Sequence, residues 1–282
     1  SANEILLYAL KRSTENPEIL PDRIYDEYIS TRYGKKALEP VKNAFKKAYD
    51  IVLSSMYILG TNAAKHSSMD YDPYSSSYDR HVSGRWLEPP VVFVEHGINK
   101  EFHYWKDIIN HIAPARFKTK DSRLGLEARY VIDQNWVTPV ELMDSLYLSY
   151  IITEKRYGVS LANEALADIE RAKDLLTPSD YDDLYRLFKR TALTAQLYEA
   201  VSTAYFGFRI YAKGKSYRYE NLEEQIRSAL NRIDLVTDEM KGMQGEYPLG
   251  QWDWLKDAET ALSYKNKILT GWKEYNNVKF TQ

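Results

Sequence analysis

From Thr177 to Gly214 the chain carries one uninterrupted amphipathic segment, and an element of that length constrains the fold more than any other feature of the sequence. Thr177-Pro178-Ser179-Asp180 is a helix start, with a hydroxyl able to cap, a proline suited to the first turn and an acid behind it. Leu184, Leu187, Phe188, Leu193, Leu197, Val201, Ala204 and Tyr205 then recur at the spacing of one helical face. Such a stripe must be covered along its length by other helices, because bare apolar surface is unfavourable in water.

The rest of the chain supplies those partners. Residues 3–13 place Ile5, Leu6, Ala9 and Leu10 at helical spacing until Asn16-Pro17 breaks the pattern. Pro21 opens a second helix with Ile24, Tyr25, Tyr28 and Ile29 as its stripe and Gly34 as its stop. A third, over 36–59, is expected to turn Phe45, Ala48, Tyr49, Val52 and Met56 inward and to end at Gly60. A short helix is expected at 100–113, ending at Pro114. Thr138-Pro139-Val140-Glu141 is a capping box that starts a segment running to 157, pausing at Gly158 and continuing to 176. Two more helices, over about 220–241 and 251–274, flank the turn Gly245–Gly250. No tetratricopeptide-like repeat interrupts this series.

The expected fold class is therefore all-α: an irregular multi-helix bundle of about seven to nine helices with one long ordered loop region, about 61–99. It reads as a single helical domain over 1–282, in which 1–60 forms N-terminal helices, 61–135 a loop-rich aromatic and histidine segment, and 136–282 a long-helix bundle. Helical periodicity vanishes over 61–99, and structureless loops of that length inside compact domains are uncommon and usually functional. The aromatic side chains between Tyr71 and Trp105 argue for order there, since disordered segments are poor in them.

Charge narrows the function. Lys plus Arg number 38 against 40 Asp plus Glu, which leaves no basic surplus to attract nucleic acid. No apolar run is long enough to span a bilayer, so no membrane partner is expected. The absence of cysteine removes disulfides, thiolate nucleophiles and thiolate metal sites. There is no GxSxG elbow, no GxxxxGK[ST] loop and no GxGxxG after a strand. Nor does an alternating strand and helix series announce a barrel.

Chemistry-bearing residues concentrate in one stretch. All five histidines, His66, His81, His96, His103 and His111, fall within 66–111. His103, Asp107 and His111 share a helical face, which suits a carboxylate-oriented histidine or a metal edge, although the zinc pattern HExxH is missing and pairing at a helix end is the plainer reading. His96, His103 and Asp107 are the candidates for acid–base catalysis.

Acids alternate with aromatics in MDYDPYSSSYDR, the arrangement by which sugars are held: carboxylates accept hydroxyl hydrogen bonds while rings cover the apolar sugar face. Asx turns account for the same aspartates without a ligand. A guanidinium fork at Arg80 or Arg85 suits a sugar carboxylate and equally suits a salt bridge to Asp79 or Glu88. The candidate substrate-binding set is Asp70, Tyr71, Asp72, Tyr78, Arg80, His81, Arg85, Trp86, His96, His103 and Trp105, with no metal and no cofactor expected. Trp252-Asp253-Trp254 offers a second stacking surface that serves a core equally well.

A family resemblance gives these residues a setting. NEILLYALKRSTENPEILPDRIYDEYISTRYG, with Asn3, Tyr8, Asn16, Pro17, Tyr33 and Gly34, resembles the segment that leaves the catalytic barrel in glycoside hydrolase family 67 α-glucuronidases. YILGTNAAKHSSMDYDP is similar to that family's Leu-Gly followed by His and Asp-Tyr-x-Pro, and QLYEAVSTAYF at 196–206 to its late Gln, Ala and Tyr-Phe helix. The resemblance implies the helical C-terminal region of a secreted or periplasmic polysaccharide-degrading enzyme. Its implied partners are the catalytic barrel of the same parent chain, an oligosaccharide or polysaccharide, and a second copy through dimerisation. The acid and base would then lie on the barrel.

Overall fold

The computed structural model describes residues 4–58, 61–62, 64–65, 68–69, 145–212, 221–244 and 254–279. Seven α-helices dominate the described residues: α1 Glu4–Glu15, α2 Pro21–Arg32, α3 Leu38–Met56, α4 Ser145–Arg171, α5 Pro178–Ala212, α6 Leu222–Gln244 and α7 Trp254–Lys279. Short 3₁₀ turns over Lys35–Ala37 and Lys173–Leu175 precede α3 and follow α4. The fold is the all-helical bundle that the periodicity implied. Among the described residues no helix is long and apolar enough to cross a membrane.

Several boundaries differ from the sequence reading: the helix expected to continue to 176 ends at Arg171, and the last helix runs past 274 to Lys279. The third helix stops at Met56, and the backbone continues into two minimal antiparallel ladders, Tyr57–Ile58 with Thr61–Asn62 and Ala64–Lys65 with Ser68–Met69. Strands of two residues add no sheet layer. Gly158 does not interrupt α4, which runs through it for 27 residues. The expected helix at 100–113, the capping box at 138–141, Gly214 and the turn 245–250 lie outside the described residues.

The described helices fall into two compact units whose boundaries lie inside helices. The first comprises Ser1–Ile51 with Val159–Leu193. Here α2 follows α1 after an Asx turn in which the Glu18 amide donates to Asn16 Oδ1 at 3.1 Å. Tyr8 on α1 meets Tyr28 on α2 with ring centroids 5.5 Å apart, and Arg12 Nε donates to Glu27 at 2.9 Å. Gly34, at φ 90°, ends α2 in a conformation that side chains with a Cβ resist. Lys42 and Lys46 on α3 reach Asp26 and Asp22 on α2 at 2.6 and 3.0 Å. Phe45 packs edge-on against Phe188, and Lys47 donates to the buried Asp168 carboxylate at 2.6 Å. At the start of α5 the Asp180 amide donates to Thr177 Oγ1 at 3.2 Å, the cap that the sequence announced.

Two inward faces turn out rotated from the sequence reading. On α3, Val41, Ala44 and Ile51 are buried, while Ala48, Tyr49 and Val52, expected inside, are exposed. The buried face of α3 ends in Ser54 and Ser55, and these polar residues disguised it. On α1 no residue is buried, and Leu6, Leu7 and Leu10 point to solvent.

The second unit comprises Val52–Gly158 with Thr194–Gln282. Its core is built from the second half of α5, where Leu197, Val201, Ala204 and Phe206 are buried, and from Ile226, Ile233, Ala261 and Ile268 of α6 and α7. Tyr205 meets Tyr264 edge-on, and the Trp272 ring stacks on Tyr211 at 5.0 Å and Phe208 at 5.5 Å.

Candidate functional site

The eleven substrate-binding candidates and the catalytic candidates His96, His103 and Asp107 all lie outside the described residues, as do His66 and His111. Trp252 and Asp253 lie outside as well, while Trp254 opens α7. The described residues contribute a different constellation, a polar seam within the second unit.

The seam follows from where α3 ends. A helix that stops leaves its last four carbonyls without intrahelical partners and carries the negative end of its dipole there. Lys155 on α4 occupies that position. Its Nζ donates to the carbonyl oxygens of Ser54 at 2.7 Å and Ser55 at 3.1 Å. The Glu154 carboxylate stands 3.1 Å from the same nitrogen. Side-chain exposure is 0% for Lys155 and 2% for Glu154, so the pair is dry.

Burial pushes the Lys155 ammonium below its ordinary value, and the Glu154 carboxylate opposes that shift. An ammonium has three N–H donors, and two carbonyls with one carboxylate account for three acceptors. The arrangement therefore holds the C-terminal turn of α3 to α4.

Gly158 lets the helices come this close. A Cβ there would meet Ser55 Oγ at 2.8 Å and Ser54 Cβ at 3.1 Å. Among the described residues the hydroxyls of Ser54 and Ser55, buried in the same contact, have no hydrogen-bond partner, and neither does that of Thr203 on α5. Orphaned buried hydroxyls each carry a desolvation penalty, which marks the seam as costly to keep.

One residue further along α4 the seam reaches the surface. Glu199 on α5 has a side chain only 3% exposed, and guanidiniums approach it from two helices. Arg232 on α6 donates through Nη1 to Glu199 Oε2. Arg156 on α4 places Nε 3.7 Å from Glu199 Oε1.

With protein-family models, curated proteins and solved structures as the comparison, this chain matches none. The seam is thus defined by its own geometry alone.

Sequence reasoning passed over these residues because TEKR, at 153–156, reads as a solvated stretch. A usable signal was present: Leu148, Ile151, Ile152 and Lys155 share one face at helical spacing, and the first three are buried. Ala195, Glu199, Thr203 and Phe206 repeat the pattern on α5, a carboxylate on an otherwise inward face.

Proposed function

We propose that this chain is a helical accessory or C-terminal domain of a carbohydrate-active enzyme, a glycoside hydrolase, that packs on a separate catalytic domain and completes a saccharide site. The observation that carries the reading is the outward face of α1. Leu6, Leu7 and Leu10 are 66%, 67% and 67% exposed, and Leu20, which follows in the connection to α2, is exposed too. Residues at i, i+1 and i+4 lie on one side of a helix, and clustered apolar surface of this kind marks an interaction site.

These leucines belong to the segment that resembles the exit from the barrel in family 67 α-glucuronidases, where a helix must settle against a catalytic domain. The saccharide side of the reading rests on the sequence of 66–111, where Asp70, Tyr71, Asp72, Arg80, Arg85 and Trp86 combine acids, rings and guanidiniums. A secreted or periplasmic location accompanies such an enzyme.

Calorimetric titration of the 282-residue chain with acidic and neutral plant or algal oligosaccharides tests the reading. Saturable heat with an acidic oligosaccharide, without hydrolysis by the chain itself, is the expected result. Absence of heat with every saccharide, while the helical circular dichroism is intact, overturns the saccharide role. Turnover by the isolated chain overturns the accessory role.

A further inference from the structure

We propose that Arg156 and Arg232 form a binding site for the oxyanion group of a small ligand, a carboxylate or a sulfate or phosphate ester, above the buried Glu199 carboxylate. The inference is drawn from the second unit alone and does not depend on the accessory-domain reading.

Charge is the first argument. Two guanidiniums converge on one carboxylate, so the cluster carries a net positive charge at a point where α4, α5 and α6 meet. One arginine suffices to neutralise Glu199, and Arg232 already does so through a direct hydrogen bond.

Donor capacity is the second. A guanidinium has five N–H donors in a fixed planar fork. The 3.7 Å separation between Arg156 Nε and Glu199 Oε1 is too long for a hydrogen bond, so Arg156 stands near Glu199 by charge and does not commit its donors to it. Its side chain is 63% exposed and that of Arg232 is 46% exposed, so an incoming group meets both without displacing the core.

The contrast with Asp168, a buried carboxylate of the first unit, is informative. Asp168 also has two cations, but Lys47 and Arg171 each donate directly to it, one to each oxygen, so both cations are committed to the carboxylate. At Glu199 only one of the two arginines is committed in this way. The buried Glu199 carboxylate holds Arg232 in place through its hydrogen bond, which lowers the ordering cost of binding at that arginine, and it draws Arg156 toward the same point by charge. Fork geometry favours bidentate contact with a planar carboxylate or with two oxygens of a tetrahedral group.

Heteronuclear NMR of the arginine Nε–Hε groups, in the full chain at constant ionic strength, tests the proposal with acetate, sulfate and inorganic phosphate as probes and chloride as the control. The expected result is a saturable shift of the Arg156 and Arg232 signals with at least one oxyanion and none with chloride. Tighter binding of acetate identifies a carboxylic ligand, and tighter binding of sulfate or phosphate an ester.

Arg156→Gln, at an exposed position, is expected to keep the fold and to weaken the affinity about tenfold or more, the loss of one charge-assisted contact. Arg232→Gln is expected to weaken it as well. Shifts that do not saturate, that chloride reproduces, or that survive unchanged in Arg156→Gln overturn the proposal.

Discussion

Lys155 on α4 ends inside the last turn of α3, with its Nζ 2.7 Å from the carbonyl oxygen of Ser54. The contact does at the end of one helix what a C-capping group ordinarily does, but it does so from a neighbouring helix and in a dry environment. Removing the ammonium takes a donor from the Ser54 and Ser55 carbonyls and a counter-charge from the Glu154 carboxylate. Lys155→Met is therefore expected to destabilise the chain by about 3–5 kcal/mol, the range for breaking one side of a buried ion pair. Adding Glu154→Gln is expected to recover part of that loss, because it removes the buried charge that Lys155 balanced. Urea unfolding followed by circular dichroism measures both, and additive losses would contradict a coupled pair.

Two glycines separate close packing from helix propensity. At Gly158 a methyl group would press on Ser55 Oγ and Ser54 Cβ, so Gly158→Ala is expected to cost about 1–3 kcal/mol despite the better helix former. At Gly242, in α6, nothing lies within 4 Å of the added methyl. Gly242→Ala is expected to stabilise by about 0.5–1 kcal/mol. Thermal midpoints of the two variants should move in opposite directions.

Acid should loosen the first unit through identifiable carboxylates. The hydrogen bond from Arg12 is the largest cause holding the Glu27 carboxyl below its ordinary 4.5, burial works against it, and Arg23 assists. Lys46 is likewise the largest cause holding Asp22 below 3.8. A carboxylate whose folded value is depressed adds stability above its unfolded value and loses it as the pH falls through the folded one. The thermal midpoint is expected to drop as the pH falls below 4.5, with a shallower slope in Glu27→Gln. Identical slopes would remove Glu27 from the account.

The exposed leucines of α1 should be dispensable for folding. Replacing Leu6, Leu7 and Leu10 by serine is expected to change the stability of the isolated chain by no more than about 0.5 kcal/mol per site, as for surface positions elsewhere. Binding of a hydrophobic dye to the folded chain should fall at the same time. A variant that unfolds would show that this face is already covered.

How much of this was legible depended on whether chemistry and burial agreed along each helix. The start of α5 was readable because Thr177, Pro178 and Asp180 each do locally what their side chains do best, and Asp180 also receives Arg32 Nη1 at 2.6 Å. The inward face of α3 was misread because its last buried turn carries Ser54 and Ser55 where a pattern search looks for apolar residues. Gly158 read as a pause because glycine weakens helices, yet here the approach of Ser55 calls for a residue without a Cβ. Lys155 and Glu199 were missed because charged residues are taken as solvated unless paired, and their partners come from other helices, over separations that no local pattern reports. The aromatic and histidine stretch of 66–111 remains the sequence's own candidate, and the seam of the second unit stands beside it.

Lys11 gives direct access to the central claim, since its exposed ammonium lies one helical turn beyond Leu7 on α1. Amine-directed cross-linking in the cells that make the protein, followed by mass spectrometry of Lys11 peptides, reads out what α1 rests against. The account predicts links from Lys11 to a carbohydrate-active catalytic domain. Links from Lys11 confined to the 282 residues of this chain, or to a second copy of it, would contradict the account.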